Sequence, residues 1–283
     1  MLELEIVRRA VRAAIEEDLG PGDVTSRVVI DPAARAKGAL VARERLIVAG
    51  LPIAREVFRQ VDPAVAFREA CRDGDERPAG ETVATVEGSA RSILAAERTA
   101  LNFLQRMSGI ATATRRAVAL AGVTGVQISD TRKTAPMLRP FDKYAVRAGG
   151  GTSHRAGLFD AVLIKDNHCR LAGGVGEAVR GARRRLRDEA SNLPGIEVEA
   201  GTLEEVREAH EAGADGILLD NMDRGTLASA IALARGRAFL EVSGGVREED
   251  IPFLAALGVD RISLGSLTHS VRAADLALDV APS

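Results

Sequence analysis

Six short apolar runs rich in β-branched residues each end on a polar side chain: Val126-Gln127-Ile128-Ser129-Asp130, Val162-Leu163-Ile164-Lys165, Ile196-Glu197-Val198-Glu199, Ile217-Leu218-Leu219-Asp220, Leu240-Glu241-Val242-Ser243 and Ile262-Ser263. Helix-like stretches rich in Ala, Arg and Glu lie between most of them, so the pattern is β-α repeated. Strands joined through helices run parallel, which puts their C-terminal ends on one face. In a β/α barrel that face is where loops and strand ends reach a single bound molecule. Any one of these residues could simply end a strand in solvent. Six such ends, offering bases, acids and glycine loops, point to a shared mouth.

The chain before residue 126 reads differently. Leu2 to Leu19 has helical periodicity and stops at Gly20-Pro21-Gly22, after which Asp23-Val24-Thr25-Ser26 reads as a loop. From about Arg35 to Glu87 the text is β-like (Gly38 to Ala42, Leu46 to Gly50, Val83 to Val86), with a helix near Leu51 to Gln60 and a turn at Asp73-Gly74. This is a small α/β domain separate from the repeats. A long helix is expected from about Ser89 to Leu120, with a break at Ser108-Gly109 left open; Leu94, Leu101 and Leu104 share one face. Glu97 falls inside that apolar arc and Arg98 at its edge. A charge there needs an ion partner, a subunit contact or a ligand, unless Arg98 snorkels to water from the edge of a packed helix.

Composition narrows the function classes. The 38 basic and 40 acidic residues leave a formal charge of −2, so no global field gathers nucleic acid or an anionic membrane, and any anion recognition must be local. Cys71 and Cys169 have no CxxC or Cys/His spacing, which argues against a disulfide framework or a zinc site and for the reduced thiols of a cytoplasmic protein. No apolar run approaches the roughly 18 residues of a membrane span. The N-terminal helix carries Arg8, Arg9 and Arg12 but also Glu3, Glu5, Glu16, Glu17 and Asp18, unlike an acid-poor targeting peptide.

Cations gather at the first two strand ends. Asp130-Thr131-Arg132-Lys133-Thr134 leaves the first; Gly149-Gly150-Gly151, read as a mobile glycine hinge, leads through Thr152 and Ser153 into His154-Arg155; Lys165 ends the second strand. Arg132, Lys133, His154, Arg155 and Lys165 imply a ligand with several negative charges, because a guanidinium fork matches a carboxylate bidentately. Glu199 and Asp220 end the next two strands. They either neutralise the cations or hold Mg²⁺, which takes one or two carboxylates and completes its octahedron with water and phosphate oxygens. Ser243-Gly244-Gly245 and Ser263-Leu264-Gly265 end the last two, where barrels commonly bind phosphate through bare backbone N–H groups. A phosphorylated substrate is the best reading of the residues alone.

The motifs Glu97-Arg98-Thr99-Ala100-Leu101-Asn102, Asp130-Thr131-Arg132-Lys133-Thr134, Lys143-Tyr144-Ala145-Val146, Gly149 through Leu158, Ile164-Lys165-Asp166-Asn167-His168, Glu197-Val198-Glu199, Leu219-Asp220-Asn221-Met222 and Ser243-Gly244-Gly245 cover about residues 20 to 268. With them the chain resembles the quinolinate phosphoribosyltransferases of NAD biosynthesis. The resemblance implies an α/β fold: an N-terminal α/β sandwich domain over 1–108, with 270–283 packing back on it, and an incomplete, six- to seven-stranded α/β barrel over 109–269. It implies phosphoribosyl transfer from phosphoribosyl pyrophosphate (PRPP) to quinolinate with decarboxylation, dependence on Mg²⁺ but on no prosthetic group, and a homodimer or higher homo-oligomer, with neither nucleic acid nor membrane as partner. It also implies roles. Arg98, Thr131, Arg132, Lys133, His154, Arg155 and Lys165 would bind substrate, with Arg98 supplied by the neighbouring subunit. Glu199 and Asp220 would hold Mg²⁺ with PRPP, and Ser243, Gly244, Gly245, Ser263, Leu264 and Gly265 would take its 5-phosphate. Lys133, Lys165, Glu199 and Asp220 are the catalytic set, with metal contact by Asp166 left open.

Three positions depart from the family pattern: Ser153 where Asn is usual, Met137 for Gly, and Val242 for Ala. Two rivals stay open. One is a molybdenum-transport-associated paralogue, a group lacking the segment present here as Lys165-Asp166-Asn167-His168; the other is a non-catalytic sensor of a phosphorylated metabolite.

Overall fold

The structure, a computed structural model, describes residues 2–188, 193 and 195–283. Its contacts group into two compact units. One comprises the chain through Arg115 together with Thr134–Gly150 and Ser266–Ser283; the other comprises Arg116–Lys133 and Gly151–Gly265.

In the first unit, strands β1 (Arg35–Ala42), β3 (Ala66–Glu69), β5 (Thr82–Ser89) and β12 (Leu276–Pro282) form an antiparallel sheet in the order β12-β1-β5-β3, and β2 (Leu46–Ile47) pairs with β4 (Glu76–Arg77). The C-terminal strand lies along β1 from Ala36↔Pro282 to Ala42↔Leu276. Beneath the sheet, Leu40, Val83, Val57 and Phe58 join Ile93, Leu101 and Leu104 of the helix Ala90–Ala121 in one core. That helix is unbroken at Ser108-Gly109. The buried Ser108 hydroxyl accepts from the Ala49 N–H at 3.0 Å, and a Cβ on Gly109 would lie 2.1 Å from the Arg272 carbonyl oxygen. Both residues therefore serve close packing, which a reading of helix propensity alone cannot anticipate.

Two further expectations are corrected. Residues after Gly22 form a short helix, Val24–Val29, because the Asp23 carboxylate accepts the Ser26 N–H and caps it. Gly149 is no loose hinge: a Cβ there would come 2.5 Å from the Ala111 carbonyl oxygen, and Arg115 Nε donates to the Gly149 carbonyl. Met137, where the family pattern has Gly, adopts φ 65°, the left-handed region that explains the usual residue.

The second unit is the parallel sheet read from the sequence: β6 (Gln127–Ser129), β7 (Val162–Ile164), β8 (Ile196–Ala200), β9 (Gly216–Asp220), β10 (Phe239–Ser243) and β11 (Arg261–Ser263). Their order is β6-β11-β10-β9-β8-β7. The first strand lies beside the last, which a sheet achieves by curling on itself, and among the described residues no β6-β7 ladder closes the ring. An isolated bridge, Ser129↔Thr152, begins a further strand in that gap, with the Thr152 N–H donating to the Ile128 carbonyl at 2.8 Å. This is an incomplete α/β barrel. Strand alternation buries Ile196, Val198, Ile217, Leu219, Leu240, Val242 and Ile262 on the outer, helix-covered face, each contributing about 1.5–3 kcal/mol. The opposite alternation, Glu197, Glu199, Leu218, Asp220, Glu241, Ser243 and Arg261, faces inward.

Candidate active site

The inward residues and the loops at the strand C-termini line a cleft of about 620 Å³. Thr131, Arg132 and Lys133 follow β6; His154 and Arg155 follow the bridge at Thr152; Lys165 follows β7; Glu199 is the penultimate residue of β8 and Asp220 ends β9; Ser243 ends β10 and Gly244 and Gly245 follow it. These are eleven of the residues expected from the sequence. Ser263, Leu264 and Gly265 are not among its lining: Ser263 and Leu264 are buried, and the Leu264 N–H donates to the Ser129 carbonyl at 2.9 Å. Arg98 lies in the first unit, exposed on the helix Ala90–Ala121, with no hydrogen bond or ion pair among the described residues. Exposure removes the argument that it must be paired within its own chain; Glu97 is half-buried.

Local chemistry sets each position. The Lys165 ammonium lies 3.1 Å from Glu199, and the His168 ring accepts the Lys165 N–H, starting the helix Asp166–Ala172. Asp220 accepts from Asn221 Nδ2 at 2.7 Å, and Asn221 sits at φ 52°, a left-handed turn that Asn tolerates. Gly244 and Gly245 have φ 84° and 63°, and a Cβ on Gly244 would meet Asp220 Oδ1 at 2.5 Å. This turn has to be glycine for the chain to pass the carboxylate. Asp166 lies outside the cleft, lining a neighbouring cavity of about 570 Å³ that also reaches Glu199 and Asp220.

Below the mouth lies a charged network whose roles the sequence did not disclose. His154 Nε2 is 3.3 Å from Glu241 and 3.5 Å from Glu197; Glu241, 1% exposed, also receives Arg261 at 2.8 Å; and Arg261 stacks 4.7 Å over the Phe239 ring. Asp130, fully buried, accepts the His154 N–H at 2.9 Å. Burial opposes a charge on His154, but hydrogen bonds to Glu197 and Glu241 outweigh it and raise its pKa to about 9. Burial likewise opposes the Glu241 carboxylate, and His154 and Arg261 hold its pKa below the ordinary range nonetheless. The only sequence signal was alternation: Glu197 and Glu241 share the inward face with Glu199 and Ser243. Their ligating atoms and that of His154 lie within 4.8 Å of one another. With Arg261 on Glu241, this trio reads as an ion-pair network, not a metal seat.

The comparisons agree with this geometry. Family models described as the quinolinate phosphoribosyl transferase N-terminal and C-terminal domains match residues 23–108 and 110–279. This chain belongs to the quinolinate phosphoribosyltransferase family. It is 43% identical over 264 residues to a probable nicotinate-nucleotide pyrophosphorylase (carboxylating) of Bacillus subtilis, covering 93% of this chain and 90% of that one. It is 41% identical to quinolinate phosphoribosyltransferase (decarboxylating) 2, mitochondrial, of Nicotiana glauca, covering 97% and 82%. Among solved family structures, the Francisella tularensis nicotinate-nucleotide pyrophosphorylase superposes with TM-score 0.92 at 39% identity, covering 99% and 98% of the two chains. NadC of Streptococcus pyogenes does so with 0.93 at 38%, covering 100% and 99%.

Proposed function

We propose that this protein transfers the phosphoribosyl group of PRPP to the ring nitrogen of quinolinate and releases pyrophosphate and CO₂, giving nicotinate mononucleotide for NAD biosynthesis. The observation that carries this reading is the make-up of one cleft: Arg132, Lys133, Arg155 and Lys165 beside Glu199, Asp220 and a glycine turn. Four cations in addition to His154 exceed what one carboxylate needs. A dicarboxylate offers a second acceptor to this set, with the two guanidinium forks suited to bidentate pairing.

Arg132, Arg155, His154 and Lys165 would hold the two carboxylates, and Lys133, exposed at the mouth, would reach toward both substrates. Ser243 to Gly245 offer main-chain donors to a phosphate, and Ser263 and Gly265 would add to them, whereas the Leu264 N–H is already taken by the Ser129 carbonyl. Mg²⁺ fits Glu199 and Asp220, since both donors are carboxylate oxygens at adjacent strand ends and they leave positions for water and phosphate. When bound, the ion supplies charge that stabilises the departing pyrophosphate. Lys133 and Lys165 add positive charge as the ribose becomes oxocarbenium-like. The new glycosidic bond makes the pyridine nitrogen cationic, so the adjacent carboxylate can leave as CO₂ with the carbanion stabilised by that nitrogen, and the ring carbon then takes a proton from solvent. The protein's part is orientation and charge, with no covalent nucleophile.

We further propose a cytoplasmic homodimer in which Arg98 serves the neighbouring subunit's site. Its exposure and lack of partner within the described chain support this, and no helix of the described residues is long and apolar enough to cross a membrane. We also propose a domain boundary at 108/109, which the family models matching residues 23–108 and 110–279 support.

Mixing the protein with quinolinate, PRPP and Mg²⁺ should release pyrophosphate and CO₂, while nicotinate is not used and excess chelator stops turnover. Comparable turnover of nicotinate would refute the dicarboxylate reading, and activity unaffected by chelator would leave Glu199 and Asp220 as counter-charges only. Arg98→Ala chains mixed with Lys133→Ala chains under subunit exchange should recover about a quarter of wild-type activity with equal, random association. No recovery despite proven exchange would place Arg98 in its own chain's site or in none.

A further inference from the structure

Both nitrogens of the His154 ring are engaged. Nε2 faces Glu241 and Glu197 at 3.3 and 3.5 Å, and Nδ1 accepts the Arg155 main-chain N–H at 2.7 Å. Accepting there, Nδ1 has no proton to donate into the cleft that His154 lines. The two carboxylates come from β8 and β10, with β9 between them, and converge on Nε2. Glu241 is the more buried and the better anchored: Arg261 on β11 meets it at 2.8 Å, is packed over Phe239, and so cannot follow His154 toward the mouth. Asp130, which accepts the His154 main-chain N–H, and Arg155, whose guanidinium feels Arg132, Asp160 and Glu197, are further charged groups near the ring.

A ring whose Nε2 hydrogen is fixed by anchored carboxylates has its remaining freedom at Nδ1. Unprotonated, Nδ1 pairs with the Arg155 amide; protonated, it must turn that amide away and becomes a cationic donor. We propose that Glu241, braced by Arg261, is a positioning residue for substrate binding: it holds His154 Nε2 so that Nδ1 serves as a donor at the cleft, taking a substrate carboxylate in place of the Arg155 amide. The inference rests on the reading of this cleft as the quinolinate site. The raised proton affinity of His154 agrees with it.

The test is Glu241→Gln, which keeps the shape and removes the charge. KM for quinolinate should rise at least fivefold at pH 8.5 and less at pH 6.5, with kcat and KM for PRPP within twofold of wild type. Glu241→Asp, which retains the charge, should restore the wild-type pH dependence of KM. Histidine-labelled NMR reads the network directly. The chain has four histidines, so the His154 signal can be assigned by its loss in His154→Asn. It should titrate near 9 in the wild type and fall toward the ordinary value of about 6.5 in Glu241→Gln. A quinolinate KM within twofold of wild type at both pH values overturns the proposal, as does a His154 titration that Glu241→Gln does not move. If Glu241→Gln does not fold, wild-type His154 titrating at or below 6.5 overturns it equally. Should the wild type fail to turn over quinolinate at all, the functional reading falls, and the His154 titration still decides whether Glu241 holds the ring.

Discussion

Substituting Gly244 by Ala separates a backbone effect from a site effect. At φ 84° an L-residue pays about 1–2 kcal/mol, and the stiffer unfolded chain returns about 0.4–1 kcal/mol, so the net loss of stability should be about 1 kcal/mol. Gly236 is the control. It is exposed at φ 72° with nothing within 4 Å of a built Cβ, so Gly236→Ala pays the same backbone cost alone. At Gly244 the methyl would sit 2.5 Å from Asp220 Oδ1 and 2.7 Å from Asn221 Oδ1, and ordinary contact begins at 3.4 Å, so both side-chain ends must retreat, the carboxylate by about 0.9 Å. Asp220 is the end of a side chain and can rotate, which keeps the folding penalty small. Its hydrogen bond from Asn221 and its aim into the cleft are lost instead. A misplacement of about 1 Å at a reacting centre costs on the order of 10²-fold. Denaturant melts should therefore rank the two variants together, while pyrophosphate release with saturating quinolinate and PRPP should fall about 10²-fold for Gly244→Ala and remain near wild type for Gly236→Ala. Equal activity in the two variants would refute the claim that this glycine exists to let the chain pass Asp220.

Lys165→Ala and Lys133→Ala should each lower turnover by 10²-fold or more with melts within 1 kcal/mol of wild type, since the Lys165–Glu199 pair is half-exposed and Lys133 is exposed; near wild-type turnover of either removes it from the catalytic set. Stability should depend on His154: with a folded pKa of about 9 against about 6.5 unfolded, its contribution is complete below pH 6.5 and is lost as pH rises to 9, about 3 kcal/mol in all. A melt series over that window should show the decline in wild type and a flatter profile in His154→Asn, and parallel profiles would contradict the network. Asp142→Asn should destabilise the first unit by about 3 kcal/mol, because Asp142 is fully buried and accepts both Arg106 Nε and a terminal guanidinium nitrogen at 2.8 Å. A loss under 1 kcal/mol would show the pair to be dispensable.

The strand ends were legible because period-2 alternation and parallel crossovers are local rules: 220, 243 and 263 fall at the observed C-termini, 130 and 165 one residue beyond, and 199 one residue before. Those rules, with the charge of the residues at the ends, also determined that Arg132, Lys133, Arg155 and Lys165 share a mouth with Glu199 and Asp220. What only the tertiary structure decided depends on which distant backbone approaches. Gly109 and Gly149 read as breaks and are contact points for Arg272 and Ala111. The Leu264 N–H reads as a phosphate donor and is taken by Ser129. Arg98 reads as the edge of a buried face and is exposed. Glu241, a carboxylate inside an apolar run, has meaning only once the curl of the sheet sets Arg261 on one side of it and His154 on the other, since burying that charge is tolerable only where partners from other strands already wait.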